Sequence, residues 1–212
     1  MPAPDPTFAH EFVPATAPGD GLTLLLLHGT GGDEHDLVSL GKELLPGAAL
    51  LSPRGRVLEN GMPRFFRRFA EGVFDVEDLK FRTHELNDFV RAAIEQYGVR
   101  KNKIVAVGYS NGANIAAGLL LLHPHLLSGA VLFRAMVPFT PDVGPDLRRI
   151  PVFLGPGRRD PIVPRPDTER LPQMLESFGA EVEVHWHAGG HELGQDDLIA
   201  ARTWLARKFV PA

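Results

Sequence analysis

Gly108-Tyr109-Ser110-Asn111-Gly112 stands directly behind the apolar run Ile104 to Val107 and directly ahead of the mostly apolar stretch Ala113 to Leu122. That order reads as a strand, a sharp turn and a helix, with a serine at the apex of a G-x-S-x-G turn. Such a turn forces the serine backbone into a strained conformation and lifts its hydroxyl clear of the sheet edge, within reach of a substrate. The two glycines remove side chains that would collide there. The expectation is an enzyme that attacks carbonyl carbon with a serine nucleophile.

Outward from this turn, short apolar bursts alternate with longer segments of helical period. This is the pattern of an α/β fold with a mainly parallel twisted sheet and helices on both faces. Strands are expected at Leu22–Leu27, Ala48–Leu51, Ile104–Val107, Ala130–Phe133, Val152–Leu154 and Val182–Trp186, with an edge strand at Phe8–Val13. Leu86, Phe89, Val90, Ala93, Ile94 and Tyr97 keep an i, i+3, i+4, i+7 rhythm, and Gly98 follows where a C-cap glycine belongs. Leu171 to Phe178, closed by Gly179, and Leu198 to Phe209 repeat that signature. A shorter helix is expected over Asp33–Leu45, with Asp33 at its N-cap or in its first turn. No repeat, linker or low-complexity block divides the chain, so one domain is expected over residues 1–212, with no separate cap domain. The connection Pro53 to Lys80 is long, and loops of that length inside compact domains are commonly functional or mobile.

At 212 residues and 44% hydrophobic content, the chain suffices for one core. A net charge of -4, with basic residues scattered, gives no field for steering nucleic acid, and no nucleic-acid partner is expected. The absence of cysteine excludes disulfides, thiol nucleophiles and thiolate metal sites. Met1 to Asp20 carries proline and acidic residues without a basic leader region, and no apolar run approaches the roughly 20 residues of a membrane span. Neither a secretion signal nor a membrane span is therefore expected, and the cytoplasm is the expected location. Pairing into a homodimer stays open.

A serine hydroxyl becomes a nucleophile when a base takes its proton, and that base needs an acceptor on its far side to fix its tautomer. On such a sheet the expected chain order is serine, acid, histidine. Asp160 follows the strand Val152–Leu154 and the turn Gly155 to Arg159, while His191 follows the last strand within Ala188-Gly189-Gly190-His191. Both leave the C-terminal ends of strands, as Ser110 does. Asp142, Asp146 and Asp167 are weaker candidates for the acid, and His185 and His187 sit inside a strand. For the oxyanion, donors are expected from the amide of Asn111, at a helix N-terminus, and from the loop His28-Gly29-Thr30-Gly31-Gly32, where Thr30 is the choice. Read as a dinucleotide fingerprint, that loop lacks its third glycine, and read as a phosphate loop it lacks the lysine. His185, His187 and His191 cluster, yet no second histidine completes a zinc-protease helix after His191-Glu192. Neither a cofactor nor a metal is expected.

Leu27-His28-Gly29-Thr30-Gly31-Gly32, Gly108 to Ala113, Asp160-Pro161-Ile162-Val163-Pro164 and Gly190-His191 together resemble the phospholipase/carboxylesterase family of α/β-hydrolases over almost the whole chain. The resemblance implies hydrolysis of a small-molecule ester or thioester through an acyl-enzyme, without a cofactor. Acyl-protein thioesterases of this family carry glutamine after the nucleophile, where this chain has Asn111, so the bacterial carboxylesterase branch is the nearer likeness. Short- to medium-chain or aromatic esters are the expected substrates. A lysophospholipase or acyl thioesterase is the alternative, and a catalytically silent binding protein a further one. Phe65, Phe66 and Phe69, interleaved with arginines in the long connection, are candidates for an apolar substrate pocket, or else pins that hold the connection to the body. Arg134, expected in a strand, is a buried charge in need of a partner.

Overall fold

The computed structural model describes residues 8–16 and 21–210. Parts of the stretch read for a leader, residues 1–7 and 17–20, lie outside the described residues. The strands are β1 (His10–Val13), β2 (Thr23–Leu27), β3 (Ala49–Pro53), β4 (Val57–Glu59), β5 (Met62–Arg64), β6 (Arg68–Ala70), β7 (Val73–Phe74), β8 (Ile104–Tyr109), β9 (Gly129–Phe133), β10 (Pro151–Gly155) and β11 (Glu181–Val184). The helices are α1 (Val38–Leu44), α2 (Val76–Tyr97), α3 (Asn111–Leu122), α4 (Arg165–Ser177) and α5 (Gln195–Phe209).

Among the described residues, seven strands form one sheet in the order β1-β3-β2-β8-β9-β10-β11, and only β1, at one edge, runs antiparallel to its neighbour. Successive residues of the central strands serve opposite faces. Leu25, Leu27, Ile104 and Ala106 pack with α2, α3 and α4, whereas Leu24, Leu26, Val105 and Val107 pack with α1 and α5. Burial on both faces explains why these strands read as unbroken apolar runs. The architecture is the expected mainly parallel sheet with helices on both faces.

The register places the chemistry. Leu27, Gly108, Leu132, Leu154 and Val184 lie in one row across five parallel strands. Whatever follows that row leaves the sheet along a single rim, including residues 28–32, 109–112, 134, 155–160 and 185–191.

Several expectations need correction. The helix expected over Asp33–Leu45 begins only at Val38, because Asp33 Oδ1 accepts from the His35 amide at 2.8 Å and closes a local turn instead of capping the helix. The connection Pro53 to Lys80 is not an open loop. It folds into two antiparallel hairpins, β4–β5 and β6–β7, and α2 starts within it at Val76, where the Asp75 carboxylate accepts from the Asp78 amide at 3.1 Å. Gly98 caps α2 with φ 66°, as its position suggested. Arg134 lies one residue past β9, at φ 56°, rather than inside a strand.

Candidate active site

Ser110 occupies the turn between β8 and α3 with φ 52° and ψ −113°, a left-handed φ that costs a non-glycine residue about 1–3 kcal/mol. Its neighbours leave no alternative to glycine. A Cβ on Gly112 would stand 1.9 Å from the Leu27 carbonyl oxygen, and one on Gly108 would stand 2.6 Å from the Gly112 oxygen. The turn therefore packs backbone against backbone, and the Ser110 amide ties it to the end of β9 by donating to the Phe133 oxygen at 2.9 Å.

The structure brings the three expected polar side chains together. Ser110 Oγ lies 2.9 Å from His191 Nε2, and His191 Nδ1 lies 2.8 Å from Asp160 Oδ2. The second Asp160 oxygen accepts from the amides of Ile162 and Val163 at 2.8 and 3.0 Å, so the carboxylate is held at both ends. Nδ1–H donating to a carboxylate leaves Nε2 as the acceptor that faces the serine hydroxyl. Of the weaker acid candidates, Asp146 pairs with Arg148 at 2.6 Å on the surface, its carboxyl held at about 2 by that arginine, and Asp167 sits in the first turn of α4.

What holds His191 in place was not legible beforehand. Arg134, with its side chain wholly buried, donates from Nε to the Gly190 oxygen at 3.0 Å and from Nη2 to the Glu192 oxygen at 2.5 Å, the carbonyls on either side of His191. It also donates to the Gly155 oxygen at 2.6 Å and to both oxygens of Asp197, at 3.1 and 2.7 Å. Asp197, equally buried, is the partner that the sequence did not reveal. The Tyr109 hydroxyl donates to the His191 oxygen at 3.0 Å, and burial pushes its pKa up, which keeps it a donor.

The glycine-rich loop is pinned from three sides. His28, buried, donates from Nδ1 to the Gly29 oxygen at 2.6 Å and accepts at Nε2 from the Gly55 amide at 2.9 Å. Burial lowers its pKa, in keeping with a neutral ring that accepts at Nε2. The Gly31 amide donates to the Pro63 oxygen at 2.9 Å and the Gly32 amide to the Gly29 oxygen at 3.2 Å. The Thr30 hydroxyl accepts from Arg64 Nη1 at 2.6 Å. Thr30 and Asn111 both line the cleft at Ser110, and the Asn111 side chain accepts from the Phe65 amide at 2.7 Å.

The proposed phenylalanine pocket is corrected. Phe65 and Phe66 are buried in the core beneath the hairpins, and the ring of Phe69 is 76% exposed to solvent. None of the three lines the cleft. Phe74, Met136, Ile162 and Val163 do, together with Arg64, Arg68 and Arg134. Among the described residues, His187, Asp196 and Asp197 bring potential ligand atoms within 4.8 Å of one another. His187 is already bonded to Asp196 at 2.8 Å, and Asp197 is committed to Arg134, so this cluster is a hydrogen-bond network of the α5 N-terminus.

A family model described as Phospholipase/Carboxylesterase matches residues 9–208. The chain is 50% identical over 187 residues to MhqD of Bacillus subtilis (strain 168), a protein named as a hydrolase, covering 88% of this chain and 94% of that one. The crystal structure of the Bacillus cereus carboxylesterase superposes with a TM-score of 0.93 at 46% identity, covering 96% of this chain and 95% of the other. Acyl-protein thioesterase 1 of Kluyveromyces lactis is 30% identical over 128 residues, 53% of this chain and 54% of that protein.

Proposed function

The chain belongs to the phospholipase/carboxylesterase family of α/β-hydrolases, and on that premise we propose that it is a serine carboxylesterase acting on short- to medium-chain or aromatic esters. The observation that carries this reading is the unbroken chain of hydrogen bonds from Ser110 Oγ through His191 to Asp160, at 2.9 and 2.8 Å. Ser110 Oγ attacks the ester carbonyl while His191 Nε2 takes its proton, and Asp160 stabilises the imidazolium that forms. The amides of Thr30 and Asn111 receive the charge on the carbonyl oxygen. Support for Thr30 comes from the amides of Gly31 and Gly32, which are both already bonded within the protein. The tetrahedral species collapses by breaking the bond to the alcohol, which leaves with the proton from His191. Water then loses a proton to His191 and attacks the acyl carbon, and the second tetrahedral species collapses by breaking the bond to Ser110 Oγ, which takes the proton back from His191 as the acid leaves.

A single domain in the cytoplasm remains part of this reading, to be checked by limited proteolysis and cell fractionation. The thioesterase alternative rests on the likeness to the Kluyveromyces lactis protein. One preparation assayed on p-nitrophenyl esters of increasing chain length, acyl-coenzyme A and lysolipid separates the readings. Fastest turnover of short and medium esters is expected, and a clear preference for thioester or lysolipid would replace the carboxylesterase reading with its alternative.

A further inference from the structure

Resting on the esterase reading, the charge of the cleft identifies a narrower class of substrate. Among the described residues, those lining the cleft include three arginines, Arg64, Arg68 and Arg134, and no aspartate or glutamate. Arg134 is matched by Asp197 at 2.7 Å. Arg64 and Arg68 have no such match in number, since both rest on the one carboxylate of Glu59, at 3.1 and 3.0 Å. Two guanidiniums against one carboxylate leave a net positive charge in the wall of the cleft.

The two arginines differ in what a ligand can reach. The Arg64 side chain is 3% exposed and is fixed by donating to the Phe66 oxygen and to the Thr30 hydroxyl. Arg68 is 24% exposed, and its hydrogen bonds to Glu59 both use Nε. Among the described residues, its terminal nitrogens have no hydrogen-bond acceptor. Burial and the like charge of Arg68 push the Arg64 guanidinium down to about 10, so Arg64 stays charged near neutrality and the two guanidiniums repel each other. An anion against Arg68 would offset that repulsion, and a guanidinium meets a carboxylate best through two parallel bonds.

We propose that Arg68, backed by Arg64, forms an anion subsite beside Ser110, and that the esters this protein takes carry a carboxylate. The carboxylate belongs either to the acyl part or to the alcohol part, and two matched pairs of esters distinguish them. 4-Nitrophenyl hydrogen adipate against its methyl ester places the charge on the acyl side. 3-Acetoxybenzoate against methyl 3-acetoxybenzoate places it on the alcohol side. The wild type is expected to favour the charged member of one pair by roughly tenfold in kcat/KM. That ratio should shrink as salt is raised, fall toward one in Arg68→Gln, and be largely restored in Arg68→Lys, which keeps the charge. A wild-type ratio at or below one in both pairs overturns the subsite, whatever the variants do. So does an Arg68→Gln that slows charged and neutral members alike, because the arginine would then serve the oxyanion or the fold. Turnover of the neutral esters without preference for charge removes the subsite alone. No turnover of any ester, with Ser110 untouched by a fluorophosphonate, removes the esterase reading and the subsite with it.

Discussion

The segments 155–160 and 188–194 on one side of the cleft converge on one buried guanidinium, whereas residues 54–75 on the other side are held by contacts spread along the hairpins, two buried rings and separate hydrogen bonds to His28, Gly31 and Asn111. Arg134 ties the carbonyls of Gly155, Gly190 and Glu192 to one rigid fork, and Asp197 holds the fork. The hairpins also sink Phe65 and Phe66 into the core and leave Leu58 and Phe69 largely, and Met62 partly, in solvent. Bonds gathered on one buried group fix several carbonyls relative to one another, while contacts spread along a hairpin hold its base and leave its tip in solvent. On the proposed reading the first suits Ser110, His191 and Asp160, whose mutual distances would set the rate. The second suits recognition, where exposed tips vary at little cost to the fold.

The largest break in this comparison should come at Ser110, the proposed nucleophile. Ser110→Ala is expected to lower turnover by about 10⁴- to 10⁶-fold with little change in Tm, read by ester hydrolysis and thermal melting. Phe66→Ala should show the reverse, a loss of about 3–5 kcal/mol in denaturant unfolding with a nearly unchanged ester profile; a changed profile would return Phe66 to the pocket. Arg134→Met should affect both quantities, because it leaves Asp197 charged and buried, at about 3–5 kcal/mol, and frees the His191 loop. Pairing it with Asp197→Leu should recover stability but not turnover, which separates the fold's need for the pair from the loop's need for the fork.

A smaller effect is expected from His28. Its folded pKa lies below the ordinary 6.5, so the unfolded chain binds the proton more readily. Stability from this group is therefore complete above about pH 6.5 and declines as pH falls toward the folded value. Protonation at Nε2 would also set a donor against the Gly55 amide. Melting between pH 7.5 and 5 should show an acid slope that His28→Gln flattens. The smallest change belongs to Phe69→Ala, within about 0.5 kcal/mol of wild type.

The strand-end side of the cleft could be read from sequence because its residues follow apolar runs in a fixed order. Ser110, Asp160 and His191 each follow a strand, and the parallel register carries all three to one rim. The partner of Arg134 could not be read, since Asp197 lies 63 residues away and looks like an ordinary first-turn acid of α5. The hairpins left a trace that goes unused if only apolar rhythm is followed. Asn60-Gly61, with φ 52° and 79°, is the dipeptide that a tight hairpin turn demands. Their interleaved arginines and phenylalanines suggested a pocket because composition cannot say that Phe65 and Phe66, between β5 and β6, turn into the core while Phe69, on β6, faces solvent.

Mass spectrometry of the intact protein after exposure to a fluorophosphonate, followed by peptide mapping, tests the central claim most directly. Ser110 should gain a single phosphonyl group, and neither Ser110→Ala nor His191→Ala should do so at a comparable rate. A wild-type protein that stays unmodified, or one labelled at another residue, would contradict a nucleophile activated by His191 and Asp160.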